Sequence, residues 1–277
     1  MSTMLNCGVL RAQAAWVRRQ VYEMIVRAGK GHIGGSLSCV DILVALYHGR
    51  VLRIDPRDPR AGGRDRYIHS KGHACEALYA VLAGAGFFPP EVLETYGLPG
   101  SALGGHVDGA LPGIEVSTGS LGHGLGIGAG LALAAKLDAV PHLTYVMLGD
   151  GECYEGSVWE AAMFAAHHGL DNLVAIVDRN GQITLDYTED CNRLEPFARK
   201  WESFGWDVVA VDGHAFEDLV PAFTGAGRRT SNRPLAVIAK TVKGKGVSFM
   251  EATVGWHHNV PQGDQRELAR RELLRNG

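Results

Sequence analysis

The feature that most constrains the fold of this chain is a series of short, continuously apolar segments in its second half. They read TYVML, LVAIV, VVAV and LAVIA, and segments with helical periodicity lie between most of them. A strand without polar alternation must be buried on both faces, which is typical of a parallel sheet. The pattern therefore predicts an α/β fold, a three-layer α/β/α sandwich with a mainly parallel sheet.

The first half is predicted to be mainly helical. Apolar residues recur at helical spacing from Leu10 to Ile25, and Gly29 suits the end of that helix. A glycine loop, GKGHIGGSLS, precedes the apolar helix CVDILVALYHG, and RYIHSKGHACEALYAVLAGAG predicts a strand, a turn and a helix. Residues 87–118 are rich in Gly and Pro and lack periodicity. An irregular stretch of that length is uncommon in a compact domain and favours a functional role.

Two serine–acid pairs predict helix starts. Ser38 precedes Asp41 by three residues, and Ser157 precedes Glu160 by the same spacing. In such a capping box the serine side chain accepts a hydrogen bond from a backbone N–H of the first turn. We therefore expect one helix to begin after Ser38 and another to begin after Ser157 and to reach about His168.

Composition excludes several classes of protein. The formal net charge of -3 gives no basic excess for nucleic acid, and the longest apolar stretch, residues 125–135, is too short to span a membrane. The first residues lack the layout of a signal peptide, and the five cysteines are scattered without a CxxC pair. We therefore expect a cytoplasmic protein. Neither a repeat nor a linker divides the chain, so one domain is expected over residues 1–277.

Common cofactor and nucleophile motifs are missing from the sequence. It contains no Walker A motif, no HExxH and no GxSxG. The glycines at 122–130 do not fit GxGxxG, which disfavours NAD binding. His69 and His73 are four residues apart, but the residues between them predict a turn, which disfavours a zinc site.

The most informative motif is GDG at residues 149–151, followed by Asn180 after 28 intervening residues. Each lies at the carboxyl end of a predicted strand, and one helix joins the two strands. Ligands of parallel sheets bind outside these strand ends, so Asp150 and Asn180 are expected to converge. Carboxylate and amide oxygens suit Mg²⁺ or Ca²⁺, and Mg²⁺ prefers few protein ligands plus phosphate oxygens. A backbone carbonyl near Gln182 can complete the set.

The glycines of the same motif favour a diphosphate. Gly149 and Gly151 let the chain pass close to such a group, and a helix that begins near Glu155 aims its backbone N–H groups at it. An isolated Asp-Gly pair more often forms a tight turn. The paired strand ends and their spacing favour the metal–diphosphate interpretation.

Histidines are numerous, with twelve in the chain, and three of them share a local setting. His32, His73 and His106 each follow a glycine in a predicted loop, whereas a core histidine more often lies on a periodic apolar face. Because imidazole titrates near neutrality, a functional role is favoured for these three. A structural or surface role is predicted for His48, His142, His167 and His168, and either role is open for His123 and His214.

Several segments together resemble one enzyme family. GDGECYEG followed by VDRNGQ resembles the thiamine-diphosphate motif. The wider chain resembles the amino-terminal half of transketolase in GKGHIGGSLSCVDILVALY, SKGHACEALYAVLA, GGHVDG, STGSLGHGLGIGAGLALA and KTVKGKGVSFME, in that order. The resemblance extends from about residue 10 to 262. It is strongest to the split form, in which two polypeptides supply the two halves.

The resemblance implies a thiamine-diphosphate-binding fold and a role for each matched residue. Asp150, Asn180 and the Gln182 carbonyl would bind Mg²⁺ or Ca²⁺, which anchors the diphosphate. The remaining cofactor positions would be Gly149 and Gly151 at the diphosphate, Gly119 and Leu121 along the thiamine, and Glu155 and His257.

The same resemblance implies catalytic residues. Glu155 would lie at the dimer interface, in the proton network beside the catalytic glutamate of the partner. His32, His73 and His106 match active-site histidines, and His257 matches one that faces diphosphate and substrate.

The implied activity is transfer of a two-carbon ketol unit from a ketose or ketose-phosphate donor to an aldose acceptor. The chain would be active only with a second subunit that carries the pyrimidine-binding domain, as an α2β2 heterotetramer, without nucleic acid or membrane partners. Two alternatives remain: a split transketolase-like subunit of a specialised biosynthetic pathway that transfers a two-carbon unit to another acceptor, and a non-catalytic homologue that regulates a partner. A deoxyxylulose-phosphate synthase type is less favoured, because of the split layout and the SKGHAC and KGKGVSF segments.

Three positions depart from the family pattern. Val107 replaces a usual proline, His258 stands where glycine is typical, and Arg179 directly precedes the predicted metal ligand Asn180. Arg179 either adds positive charge near a diphosphate or acidic substrate, or forms a salt bridge at the surface. The sequence leaves both interpretations open.

Overall fold

A five-stranded sheet forms the centre of the protein. The computed structural model describes residues 6–275. Every strand pair in the sheet is parallel, and the strand order is β1-β2-β3-β5-β4. The strands are Arg66–His69 (β1), Thr144–Gly149 (β2), Leu173–Arg179 (β3), Asp207–Asp212 (β4) and Leu235–Lys240 (β5).

Helices precede, connect and follow the strands. The α-helices are Cys7–Ala28 (α1), Ile33–Ser38 (α2), Val40–Tyr47 (α3), Cys75–Gly84 (α4), Gly124–Leu137 (α5), Gly156–His167 (α6), Thr188–Cys191 (α7), Phe197–Ser203 (α8), Phe216–Ala226 (α9) and Asp264–Arg275 (α10). Short 3-10 helices are formed by Gly72–Ala74, Pro90–Thr95, Gly151–Tyr154 and Val254–Trp256.

The sheet separates two hydrophobic clusters, one on each face. Along β2, Tyr145 and Met147 belong to one cluster, and Val146 and Leu148 belong to the other. Buried residues of α1 to α4, α9 and α10 fill the first cluster, and those of α5, α6 and α8 fill the second. This alternation confirms the predicted three-layer α/β/α sandwich, because the central strands β2, β3 and β5 are covered by apolar packing on both sides.

The edge strand β4 is less buried than the sequence predicts. Val209 is 38% exposed, whereas the side chains of β3 from 173 to 178 are buried. An edge strand lies at the limit of both helical layers, so they cover its side chains only in part. The expectation of burial on both faces is wrong for this strand.

The two helices begin close to the predicted positions, α3 at Val40 and α6 at Gly156, and α6 ends at His167, but neither predicted serine cap forms. Ser38 ends α2, and its hydroxyl donates to Asp178 Oδ2 at 2.6 Å. Ser157 lies inside the first turn of α6, and its hydroxyl donates to the carbonyl of Gly122 at 3.0 Å. In each case an acceptor from a distant part of the chain engages the serine that local spacing assigned to a helix end.

Residues 87–118 have irregular backbone apart from the 3-10 helix at Pro90–Thr95, as the composition predicts. Within residues 6–275, no helix combines the length and the apolar character needed to cross a membrane. The single-domain prediction over 1–277 and the comparison with a signal peptide include residues 1–5, which lie outside the described residues, as do 276–277.

Candidate active site

Two neighbouring strands, β2 and β3, end side by side. Gly149 of β2 is paired in register with Asp178 of β3. Asp150 follows directly, and its Oδ2 accepts the N–H of Gly181 at 2.7 Å while its Oδ1 accepts the N–H of Gly151 at 2.8 Å. The carboxyl ends of the two strands thereby bring Asp150 against the turn that carries Asn180.

The turn after β3 holds the other predicted metal ligands. Asn180 Oδ1 accepts the N–H of Gln182 at 3.1 Å, and Asn180 Nδ2 donates to Asp178 Oδ2 at 3.4 Å. The carbonyl of Gln182 accepts a hydrogen bond from Lys243 Nζ at 3.3 Å. The backbone carbonyl predicted to bind a metal therefore accepts a hydrogen bond from a lysine side chain in this structure.

A cavity of about 440 Å³ opens beside these strand ends. All the predicted site residues except His106 line it: His32, His73, Gly119, Leu121, Gly149, Asp150, Gly151, Glu155, Asn180, Gln182 and His257. Glu155 is exposed at the N-terminal end of α6.

The predicted histidines lie close together. The ring centres of His32 and His73 are 5.3 Å apart, and the His257 ring lies 5.5 Å from each of them. The exposed His106 ring is 6.0 Å from that of His32. His258, one of the departures from the family pattern, is 5.9 Å from His257 and 6.3 Å from His32. One cluster of imidazoles therefore surrounds His32.

Three of these histidines have lowered pKa values. Burial and nearby positive charge hold the pKa of His73 well below its usual range. Burial, followed by Lys243, lowers the pKa of His257 to about 3. Burial lowers the pKa of His32, against the opposing effect of Glu76. Neutral imidazoles result near pH 7, and each can donate one hydrogen bond and accept another.

Four buried polar atoms on the cavity wall lack a protein partner among residues 6–275. They are Nδ1 of His32, Nδ1 of His257, and both Nε2 and Oε1 of Gln182. Buried polar atoms in native proteins nearly always have a partner. This unused hydrogen-bonding capacity fits a site that receives a polar ligand.

Two glycines of the site lie at close approaches, the tighter of them at Gly151. A Cβ on Gly119 would lie 3.0 Å from Cδ2 of His106, and a Cβ on Gly151 would lie 2.4 Å from Cγ2 of Ile183. The absence of a side chain at Gly119 leaves room for an imidazole. At Gly151 it lets the turn after β3 pack onto the GDG loop.

A buried ion pair beneath the cavity is not predicted from the sequence. Lys71 Nζ forms an ion pair with Asp178 Oδ2 and also donates to the carbonyl of Gly35 at 2.9 Å. Burial alone would raise the pKa of Asp178, but Lys71 and hydroxyl donors, including Thr241, hold it below its usual range. Lys71 therefore joins β1, α2 and β3 below the site.

Two buried glutamates hold the site loops. Glu152 accepts from Ser70 Oγ, and from the N–H groups of Gly122 at 2.9 Å and Gly149 at 3.0 Å. Glu76 accepts the backbone N–H of His32 at 3.1 Å. Neither glutamate was singled out from the sequence, although each lies within three residues of a motif glycine or histidine.

Lys243 lies on the cavity wall, and His214 holds its loop. Burial, followed by Lys71, lowers the pKa of Lys243 to about 8. His214 Nδ1 bonds to Asp41 Oδ2 at 2.7 Å, and its Nε2 accepts the N–H of Val242 at 2.9 Å. Of the two roles left open for His214, the structure supports the structural one.

Arg179 forms ion pairs at the edge of the site. Its Nη1 is 3.0 Å from Asp150 Oδ2, and its Nη2 is 2.8 Å from Glu189 Oε1 and 3.1 Å from Glu195 Oε1. The side chain is only 12% exposed. The salt-bridge interpretation is therefore supported, although little of the side chain lies at the surface, and the guanidinium also contacts the predicted metal ligand Asp150.

The donor set limits the type of cation that fits. No three His, Cys, Asp or Glu side chains in the described part of the chain group as a metal site. Asp150 provides one carboxylate, Asn180 an amide oxygen and Gln182 a carbonyl. Few oxygen donors fit a hard cation such as Mg²⁺ that takes its other ligands from phosphate. They do not fit a structural zinc site of Cys and His.

Comparison with known proteins agrees with this geometry. Residues 10–274 match the family model for the thiamine diphosphate binding domain of transketolase. The chain is 46% identical to one of the subunits of the apulose-4-phosphate transketolase of Phocaeicola vulgatus, over 97% of this chain and 95% of that protein. It is 42% identical to a 6-deoxy-6-sulfo-D-fructose transketolase subunit from a Clostridium species, over 97% of each.

A solved structure shows the same fold. The crystal structure of transketolase from Campylobacter jejuni superposes with a TM-score of 0.89 at 30% identity, over 97% of this chain and 43% of that one. This chain thus spans less than half the length of that transketolase. The family match covers nearly the whole sequence, so the chain belongs to the transketolase family and corresponds to its thiamine diphosphate binding domain.

Proposed function

We propose that this chain is the diphosphate-binding subunit of a transketolase that depends on thiamine diphosphate and acts with a second subunit. The reaction transfers a two-carbon ketol unit from a ketose or ketose-phosphate donor to an aldose acceptor. One observation carries the proposal: a single cavity joins the oxygen donors of Asp150, Asn180 and Gln182 to the cluster of neutral histidines.

Bound thiamine diphosphate supplies the electron sink for breaking and forming the carbon–carbon bond. Asp150, Asn180 and the Gln182 carbonyl would hold Mg²⁺ or Ca²⁺ at the diphosphate, with Gly149 and Gly151 alongside. The fit is supported by the buried side-chain amide of Gln182, which has no partner in the described part of the chain, and by the small oxygen donor set.

The other cofactor positions follow the same wall of the cavity. Gly119 and Leu121 would lie along the thiamine, and Glu155 would belong to the proton network shared with the catalytic glutamate of the partner. Support comes from the position of all three on the cavity wall and from the exposure of Glu155.

The histidines would orient the sugar and move its protons. Ketol transfer requires proton transfer at hydroxyl and carbonyl oxygens as the bond breaks and forms. His32 and His257 line the cavity, and a neutral imidazole can donate one hydrogen bond and accept another from hydroxyls of the substrate. The His73 ring packs against both of these rings, and the exposed His106 would contact substrate at the rim.

The second subunit would carry the pyrimidine-binding domain, in an α2β2 assembly in the cytoplasm. The names of the two relatives support a divided enzyme, because each is named as one subunit of a transketolase while matching this chain over nearly its whole length. The glutamate that completes the proton network is expected on the partner.

A second class of sugar substrate is proposed for the same ketol transfer. The two relatives are named for particular sugars, one for apulose-4-phosphate and the other for 6-deoxy-6-sulfo-D-fructose. A role in a specialised pathway is therefore proposed beside a role with ordinary pentose and hexose phosphates.

The test is an activity assay of the co-expressed subunits, with thiamine diphosphate and Mg²⁺. Donor ketoses, phosphorylated, branched and sulfonated, are offered with an aldose acceptor, and the aldose released from the donor is measured. We expect turnover by the complex and none by this chain alone.

The controls separate the alternatives. Turnover by the purified single chain would contradict the two-subunit proposal. Cofactor binding without turnover on any donor, although the complex forms, would favour the non-catalytic homologue. The donor used best decides between the specialised and the ordinary substrate.

A further inference from the structure

The side chain of Arg179 bonds to four acceptors around one predicted metal ligand. Nη1 contacts Asp150 Oδ2 at 3.0 Å and Thr188 Oγ1 at 2.6 Å, and Nη2 contacts Glu189 and Glu195. A guanidinium has five N–H donors in a rigid planar fork, so such a set of bonds fixes its orientation.

Within the described part of the chain, the hydrogen bonds of Asp150 leave one acceptor position free on one of its two carboxylate oxygens. Oδ2 accepts from both Arg179 Nη1 and the N–H of Gly181, whereas among residues 6–275 Oδ1 accepts only from the N–H of Gly151. Each carboxylate oxygen has two acceptor positions. Two donors therefore fill Oδ2, and the third occupies one position on Oδ1 and leaves the other free.

The charge of Arg179 is offset by its other partners. Glu189 Oε1 and Glu195 Oε1 lie 2.8 and 3.1 Å from Nη2. An unpaired arginine beside Asp150 would repel a divalent cation, but two further carboxylates cancel that repulsion. The effect of Arg179 on the site is then its geometric control of Asp150.

We propose that Arg179 is a positioning residue that fixes the Asp150 carboxylate so that a divalent cation binds through Oδ1. This inference rests on the proposed function, since it concerns the cation that would hold the diphosphate. Arg179 also links that cation to the segment 188–195, because Thr188, Glu189 and Glu195 share its guanidinium.

The test measures metal affinity rather than turnover. Mn²⁺ serves as a paramagnetic probe, and the loss of its free spin-resonance signal is followed with thiamine diphosphate present, using the full chain alone and with its co-purified partner. For Arg179→Gln we expect an Mn²⁺ dissociation constant about 10- to 100-fold higher, the usual effect of removing a partner of a metal ligand. Arg179→Lys should fall between wild type and Arg179→Gln, because an ammonium cannot reproduce the fork.

A matched control is available elsewhere in the chain. Arg229 pairs with Asp207 at 2.9 Å and is 17% exposed, so Arg229→Gln removes a comparable ion pair distant from the site. It should bind Mn²⁺ like wild type. Equal or tighter binding by Arg179→Gln would overturn the proposal. If that variant does not fold, wild-type affinity of Arg179→Lys would overturn it.

The inference and the proposed function can fail separately. If the wild-type protein binds Mn²⁺ and the Arg179 variants bind it equally well, only the positioning role is lost. If the wild-type protein binds no Mn²⁺ in either preparation, the metal site of the proposed function fails and the role of Arg179 fails with it.

Discussion

Lys71 and Asp178 form an ion pair in the interior, with their side chains 1% and 0% exposed. Breaking a buried pair by removing one charge typically lowers stability by about 3–5 kcal/mol, because the other charge is left buried and unpaired. We predict a loss of this size in the free energy of unfolding for Asp178→Asn, measured by denaturant titration.

The control is Asp171→Asn, whose partner Lys136 is 35% exposed. Its loss should be at most about 1 kcal/mol. Equal stability of the two variants would contradict the prediction.

Glu152→Gln should destabilise the protein and loosen the thiamine side of the cavity. An amide NH₂ would replace one oxygen that now accepts a backbone N–H from Gly122 or Gly149. A buried donor left without an acceptor lowers stability by about 1–3 kcal/mol. We expect that loss together with weaker thiamine diphosphate binding by calorimetry. The matched control is the exposed Glu160→Gln on α6, and identical behaviour of both variants would rule out this role of Glu152.

The histidine cluster predicts a pH dependence of stability. The pKa of His257 in the folded protein is about 3, below its ordinary 6.5. As the pH falls below 6.5, this residue therefore binds more protons in the unfolded chain than in the folded protein. The contribution of His257 to the free energy of unfolding is constant at pH values above its pKa in the unfolded chain. It decreases as the pH drops below that pKa. The stability of wild type relative to His257→Asn should therefore fall from pH 6.5 towards about pH 5. A difference independent of pH in thermal melts would contradict the buried, neutral imidazole.

From the lowered pKa of Lys243 we predict that cofactor binding depends on pH. Its pKa of about 8 means that the ammonium loses its proton on a mildly alkaline titration. Thiamine diphosphate should bind wild type more weakly at about pH 9 than at about pH 7, because an anionic ligand loses a positive partner. Lys243→Arg stays charged and should remove this decline. Parallel declines of both proteins in calorimetry would show that another group titrates.

The sequence predicts those parts of the fold that depend on local pattern. Continuous apolar runs identify β2, β3 and β5, and their parallel pairing brings the GDG loop beside Asn180. The run VVAV also identifies β4, but apolar composition does not reveal that this strand lies at the edge and is partly exposed. Local spacing fails at Ser38, whose hydroxyl bonds to Asp178 of a distant strand.

The supporting residues of the site are harder to predict, for a related reason. Lys71, Glu76 and Glu152 are charged residues in or beside loops, and such residues are mostly exposed. All three are buried here because each finds partners that lie far away in the sequence. Their only signal is adjacency to motif glycines and histidines, and the pairing itself exists only in the folded chain.

The most direct test of the central claim is calorimetric titration of thiamine diphosphate into this protein with its partner. Wild type and Asp150→Ala are compared, each with Mg²⁺ and after chelation of divalent cations. We predict tight binding only by wild type with Mg²⁺, with chelation and Asp150→Ala each abolishing it and having no further effect together. Tight binding that persists without the cation and without the Asp150 carboxylate would contradict the diphosphate site described above.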